Sequence, residues 1–467
     1  MKPITRRQLL QATAAFSLPG CHTLSSLRAP ADWAYAQTID TAVQPPVFPE
    51  NQFDIRQYGA VADGQSSSTG AINNAIVACH KAGGGRVLVP AGDYLTGAVH
   101  LLSNVELHLA ENARLRFSRD PNDYLPAVFT RWEGVEYMGY SPLIYAYQAE
   151  NIGITGTGVL DGGASEVHWW PWKGTSEWAR PGFPSQDKSR AQLFAQTEAG
   201  VPPRQRHYSE GHYLRPPFIQ PYQCRNVLLE DVTIVNAPFW LVHPVLCDNV
   251  TVRRLHLQSL GPNSDGCNPE SCRNVLIEQC FFDTGDDCIA IKSGRNADGR
   301  RLNIPSENIV IRDCDMRAGH GGVVIGSEIS GGVRNVYAHD NRMSSPDLER
   351  GFRIKTNSVR GGVIENIYLR DTQIGQVKDA IVINFHYEEG DAGKFDPTVR
   401  NIYLDNISCE HAQQVFQIRG FDRAPIKHLS ITNSTFNRAR SAGVIEYVDG
   451  LTLSDVSVNG KPYGAPT

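Results

Sequence analysis

From residue 104 onward, apolar and polar positions alternate in short runs, and each run opens on an asparagine followed by a β-branched or aliphatic residue. These asparagines are Asn104, Asn151, Asn226, Asn249, Asn274, Asn308, Asn335, Asn366 and Asn401, and from Asn226 the steps are 23, 25, 34, 27, 31 and 35 residues. Alternation with period two marks strands with one buried face, and no 3.6-residue period is sustained across these units. Two or three short strands recurring at this interval make one coil of a parallel β-helix, in which each coil buries its inward residues against the next. The predicted fold is therefore all-β, a single-stranded solenoid. The asparagines are read as structural, hydrogen-bonding from coil to coil and satisfying turn backbone.

Cysteines keep the same register. Cys224, Cys247 and Cys272 each stand two residues before a repeat asparagine, and Cys280 and Cys314 each stand six after one. Neighbouring strands lie ~4.8 Å apart, a spacing compatible with disulfides or with stacked buried thiols. The plainer reading is a ladder of small core residues.

Two stretches depart from the repeat. Ala71, Ile72, Ala75, Ile76 and Cys79 sit at helical spacing and predict a helix over 69–81, stopped by Gly83-Gly84-Gly85. Such a helix can cover the open N-terminal end of a solenoid core. Residues 119–222 read as a long insertion holding five of the seven tryptophans, Trp132, Trp169, Trp170, Trp172 and Trp178. At its far end stand Arg204, Arg206, His207, His212 and Arg215. Aromatic rings with nearby cations suit sugar faces and uronate carboxylates, but they suit packing against the solenoid equally well.

Composition is that of a soluble globular protein, 41% hydrophobic and 20% charged. A net charge of -5 argues against a nucleic-acid partner and gives no long-range pull on an acidic polymer, so an anionic substrate must be met by locally placed Arg and Lys. Residues 1–36 read as an export signal of the twin-arginine type, built on Arg6-Arg7 and an apolar stretch too short for a permanent transmembrane helix. Leu18-Pro19-Gly20-Cys21 outlines a lipoprotein site that would anchor the chain through Cys21; the alternative is cleavage after Ala34-Tyr35-Ala36. Residues 37–50 read as a Pro-containing linker, and 51–467 as the catalytic domain. If Cys21 is lipidated, nine of the ten cysteines remain and at least one is unpaired.

The chemical residues fall on consecutive coils. Asp286 lies 12 residues after Asn274, and His320 lies 12 after Asn308, which makes them neighbours on one face. Asp265, 16 residues after Asn249, falls at a similar position one coil earlier, and Asp287 follows Asp286 in the chain. Arg353 and Lys355 flank Ile354 and turn outward together, as do Asn263 and Asp265 around Ser264. Any one of these could be an ordinary turn aspartate or a solvated cation. Their coincidence in register points to cleavage of a sugar bond, which needs one carboxyl protonated and another ionised.

The blocks NSDG at 263–266, GDD at 285–287, GHG at 319–321 and RIK at 353–355 resemble the four signatures of glycoside hydrolase family 28, the polygalacturonases. The resemblance runs from about Phe53 to Val458, with Ser264 where many members have Thr. It implies a right-handed parallel β-helix and hydrolysis of α-1,4-galacturonosyl bonds in homogalacturonan with inversion. In the implied roles, Asp286 is the general acid, Asp265 and Asp287 activate water, and His320 tunes the acid. Arg353 and Lys355 would bind galacturonate carboxylates, with Asn263 and Tyr387 positioning substrate. No metal or other cofactor is implied, and the expected protein is an exported monomer acting on a pectic polymer. Rival readings are a pectate lyase and a non-catalytic glycan-binding solenoid. The insertion and the run GHGGVVIGSEISGGVRNV look similar to bacterial exo-acting members, so exo action is expected, with endo action as the alternative.

Overall fold

In a computed structural model, residues 33–464 are described apart from 176 and 345, so residues 1–32 of the export signal, Cys21 among them, lie outside the described residues. The chain winds as a right-handed parallel β-helix, the hand that parallel crossover connections adopt. Strands of successive coils pair in parallel to build three walls. The first carries the asparagines and contains Arg225–Glu230, Asp248–Arg253, Arg273–Glu278, Ser306–Arg312 and Val333–His339. Val227, Val250, Val275, Ile309 and Val336 lie in one register through these five strands, all buried. The second wall holds Thr233–Val235, His256–Ser259, Phe281–Thr284 and Asp315–Ala318. The third holds Ile289–Ile291, Val323–Ile325 and Arg350–Lys355, extended N-terminally by single bridges Val242 to Cys267 to Ile289. The aspartates and His320 lie in the turns that lead into this third wall, and Arg353 and Lys355 on one of its strands.

The asparagine ladder forms. Each Asn side-chain amide donates to the Asn one coil before it, from Asn151 to Asn104 (2.8 Å) through Asn401 to Asn366 (3.0 Å). One rung differs: Asn274 donates to Asp248, and Asn249 also donates to the carbonyl of Gln44. All nine asparagines have positive φ, between 53° and 64°. Asn tolerates that left-handed conformation better than other non-glycine residues, so turn geometry and the ladder select the same residue. The nine described cysteines are all buried free thiols, as the thiol-ladder reading expected.

Helix α1 (Trp33–Ala42) departs from expectation. Residues 37–50 are not a linker but are laid along the first wall. Asp40 pairs with Arg312 at 2.7 Å, the Tyr35 hydroxyl donates to Asn308 (3.2 Å), and the Gln44 amide donates to Asn249 (3.0 Å). Trp33 packs against Tyr337 and under the Arg370 guanidinium. Trp33, Ala36 and Ile39 recur every three residues, a short helical face that the prolines at 45, 46 and 49 obscured. Helix α2 (Thr69–Lys81) has the expected bounds and buries Ala71, Ile72, Ala75, Ile76 and Cys79 over the end of the core. A Cβ on Gly85 would sit 2.4 Å from the Asn51 carbonyl, so the turn after it needs glycine.

The insertion over 119–222 is also not continuous. Ile144–Tyr147, Glu150–Gly156 and Val159–Asp161 complete an ordinary coil within it, and Asn151 heads that coil in the ladder. Two excursions remain, before and after that coil. The first is a hairpin of Val128–Trp132 and Val135–Gly139, and the second includes helix α3 (Asp187–Glu198). Together with Phe239 and Trp240 they bury a small separate core around Trp132, Tyr137, Leu193 and Tyr208. Helix α4 (Asn296–Leu302) leads from the third wall back to the first.

Candidate active site

Asp265, Asp286 and Asp287 converge: one carboxylate oxygen from each lies within 4.8 Å of the others. Backbone hydrogen bonds between coils set this geometry. The Leu241 amide donates to the Asp265 carbonyl (2.9 Å), the Gly266 amide to that of Asp287 (2.9 Å), and the His320 amide to that of Asp286 (3.0 Å). The glycines beside them permit the approach, since a Cβ on Gly319 would lie 2.3 Å from the Asp286 carbonyl oxygen.

Cations surround the aspartates. Lys355 donates to Asp287 at 2.6 Å, Arg353 stands 3.6 Å from it, and Lys292 stands 3.7 Å from Asp265. Lys292 is itself paired with Glu328 at 2.9 Å. Arg353 and Lys355 do share one face, with Ile354 in the core, but they are themselves buried, and Lys355 is already engaged with a carboxylate. Both lie 5.3 Å from the Tyr387 ring. Asn263 accepts a hydrogen bond from Arg215 (2.7 Å). Oδ1 of Asp265 and Oδ1 of Asp287 are buried and receive no hydrogen bond from a described residue.

His320 reaches Asp286 at 3.1 Å. That hydrogen bond, against the effect of burial, pushes the imidazole up to about 9. Burial alone would raise Asp286, but the hydrogen bond and charge of His320, then Lys355 and Lys292, hold its carboxyl below the usual range. Asp265 moves the other way: burial first, then the Asp286 charge, push it well above the ordinary carboxyl value. The contact thus favours the proton on His320 over Asp286, the reverse of the order expected for a general acid. A protonated histidine in contact is enough to invert that order.

By geometry alone the three aspartates could grip one cation. Lys355 and Lys292 already stand against Asp287 and Asp265, so a divalent ion there would meet two fixed positive charges.

The cleft has a volume of about 260 Å³ and holds further residues that the sequence reading missed. Trp240, Lys292, Arg295 and Glu328 come from the solenoid, while Glu133, Lys173 and Arg190 come from the two excursions. Trp240 sits edge-on to His243 and beneath Lys292. The aromatic and basic residues singled out in the insertion are mostly structural. Trp132 and Trp169 are buried, Arg206 is locked to Asp298 (2.7 Å), and Arg215 clamps the carbonyls of Pro238 and Pro262. One signal was available for Lys292: it follows Ile291 in a buried strand, where an unpaired lysine would be costly.

The profile of glycosyl hydrolases family 28 matches residues 205–458. A hyperthermoactive exopolygalacturonase from Thermotoga maritima superposes with a TM-score of 0.90 at 42% identity, covering 93% of this chain and 97% of that one. An exo-poly-alpha-D-galacturonosidase of Dickeya chrysanthemi is 28% identical over 87% of this chain and 74% of that protein. A Vitis vinifera protein described as "Probable polygalacturonase" is 29% identical over 85% of this chain and 76% of that protein. With that profile spanning more than half its length around the aspartate cluster, the chain belongs to glycosyl hydrolases family 28.

Proposed function

We propose that the protein hydrolyses α-1,4-galacturonosyl bonds of homogalacturonan or oligogalacturonides from a chain end, with inversion. The observation that carries this reading is a three-aspartate cluster ringed by cations, in a cleft walled on one side by the excursions. Asp286 relays a proton from His320, its hydrogen-bond partner, to the glycosidic oxygen. A water held by the Oδ1 atoms of Asp265 and Asp287 loses its proton to that pair as it attacks the anomeric carbon. One proton enters the leaving group and one leaves the water. Arg353 faces a substrate carboxylate with its planar fork, while Lys355 fixes Asp287 and is shared with the substrate.

The aspartates approach within 4.8 Å, closer than the roughly 6.5–9.5 Å usual for an inverting pair. A cluster of three can hold the water at its edge instead of between two facing groups. Proton NMR of the first-formed reducing end checks this: β product means inversion, and α product would mean retention.

End-on action is supported by Glu133, Lys173 and Arg190, which the two excursions place in the lining of the cleft. Chromatography of early products from polygalacturonate tests it. Monomer or dimer alone is expected, and a ladder of oligomers would overturn it. The same samples should show no ultraviolet-absorbing unsaturated ends and no loss of activity to a chelator, which separates hydrolysis from a lyase. We further infer export, from the leader sequence, and a monomeric enzyme. Among the described residues no helix is long and apolar enough to cross a membrane.

A further inference from the structure

Six of the seven Lys and Arg residues lining the cleft have an acidic partner within 4 Å. Arg190 is held by Glu133 at 2.7 Å, Lys292 and Arg295 by Glu328, Arg350 by Glu349, and Arg353 and Lys355 by Asp287. Lys173 is the exception. It lines the same cleft and is only partly exposed, yet it makes no hydrogen bond or ion pair with a described residue.

Its backbone is nonetheless fixed. Lys173 ends a short 3-10 turn, Trp170–Lys173, closed by the Gly174 amide on the Pro171 carbonyl (3.1 Å). The turn is bolted to the solenoid by Trp170, whose indole donates to the Ala237 carbonyl (2.9 Å) and whose ring fills the space where Gly261 lacks a side chain. Ala237 and Gly261 belong to coils before Asp286, whereas Arg353 lies two strands further along the third wall. Lys173 is thus tethered to coils before the acid, while Arg353 stands on a coil after it, and all three line one cleft.

A partly desolvated ammonium without a counter-ion is unfavourable. Burial first, with the Arg215 and Arg190 charges beside it, outweighs the charges of Glu133 and Asp286 and lowers the basicity of Lys173. An incoming carboxylate would relieve that cost, and polygalacturonate brings one on every sugar. Resting on the end-acting polygalacturonase reading above, we propose that Lys173 is a specificity residue that binds the carboxylate of the galacturonate unit about to be released. The excursion then does more than close the cleft: it carries the charge that recognises the terminal unit.

The test compares trigalacturonate with trimers in which one chosen residue has its carboxyl reduced to a primary alcohol, using wild type, Lys173→Met and Lys173→Arg. Wild type should lose roughly 10- to 100-fold in kcat/KM when the residue to be released is the reduced one, the range for a hydrogen bond to a charged group. Lys173→Met should lose about as much on trigalacturonate, mostly through KM, and be indifferent to that reduction, while Lys173→Arg should restore much of the discrimination. A Lys173→Met enzyme that still prefers the carboxylate at the released unit overturns the proposal. So does one that loses its preference at a different residue. If wild type fails to cleave trigalacturonate at all, it is the polygalacturonase reading that falls. Matched melting curves for the three proteins separate lost binding from lost folding.

Discussion

The solenoid coils and the two excursions solve the same problem, burying polar backbone beside a charged cleft, by opposite means. In the coils the ladder side chains find their counterparts one turn away, as Asn335 finds Asn308 at 3.1 Å and Asn366 finds Asn335 at 3.1 Å. In the excursions no repeat supplies partners, and single buried arginines do the stitching: Arg206 to Asp298, and Arg215 to two carbonyls and Asn263. The coils therefore spread their stability over many equivalent small contacts, while the excursions concentrate it in a few irreplaceable ones. The cleft lies where the two regions meet. Its acids come from the coils and part of its cationic rim from the excursions.

If the coils hold the chemistry, the largest effect should come from their acid. Asp286→Asn is expected to lower kcat by roughly 10²–10⁴-fold, the range for a positioned acid–base group. Its melting temperature should hold, because Asp286 is held on the coil by backbone bonds that Asn keeps. Near-normal turnover in single-turnover assays would remove Asp286 from the chemistry.

The next effect should appear in the excursions, and in stability instead of rate. Arg206→Met leaves Asp298 buried beside its lost partner, with Arg301 at 3.1 Å as its remaining cation. Breaking a buried pair costs roughly 3–5 kcal/mol, although Arg301 will offset part of it. Denaturant unfolding followed by tryptophan fluorescence should show an early transition for the small core around Trp132, with the solenoid melting later. A single unshifted transition would mean that the excursion is not separately stitched.

How much of this was legible followed the same division. The ladder, α2 and the aspartate cluster could be read because a solenoid converts sequence offset into spatial position: Asp286 and His320 share an offset of 12 and meet at 3.1 Å. The excursions have no such rule. Lys173 and Arg190 reach the cleft through contacts that exist once, such as Trp170 against Gly261, and no periodicity announces them. The coil at 144–161 was hidden for a related reason: it stands between two excursions that break the repeat, so Asn151 is separated from Asn226 by far more than one coil. Proton placement was illegible throughout. It depends on how close His320 comes to Asp286, and spacing predicts that they are neighbours but not that they share a hydrogen bond.

That placement gives a smaller, pH-dependent effect. His320 is raised to about 9, so it is protonated below that pH and loses its charge as pH climbs through it. The stabilising contribution of its pairing with Asp286 is fully present below the ordinary histidine value of about 6.5 and is gone above about 9. kcat/KM reports the free enzyme, so its alkaline limb should fall with a midpoint near 9 in wild type. His320→Gln keeps a donor to Asp286 but has no proton to lose, and its profile should lack that limb. A limb that survives unchanged in the variant would belong to another group.

The smallest effect is the one that most sharpens the contrast between regions. Asn366→Ala removes one amide that donates to Asn335 and one carbonyl that accepts from Asn401. Each such bond is worth about 1 kcal/mol net, and water can reach the partly exposed partners left behind. The left-handed backbone at Asn366, with φ of 58°, adds a penalty for alanine on the order of 1 kcal/mol. The total should stay well below that of Arg206→Met. Asn366→Gly separates the two contributions, since glycine removes the same hydrogen bonds without the backbone penalty. If Gly and Ala destabilise equally in urea titrations, the ladder is held by its side-chain bonds; if Gly recovers most of the loss, asparagine stands at these turns chiefly because it tolerates their conformation.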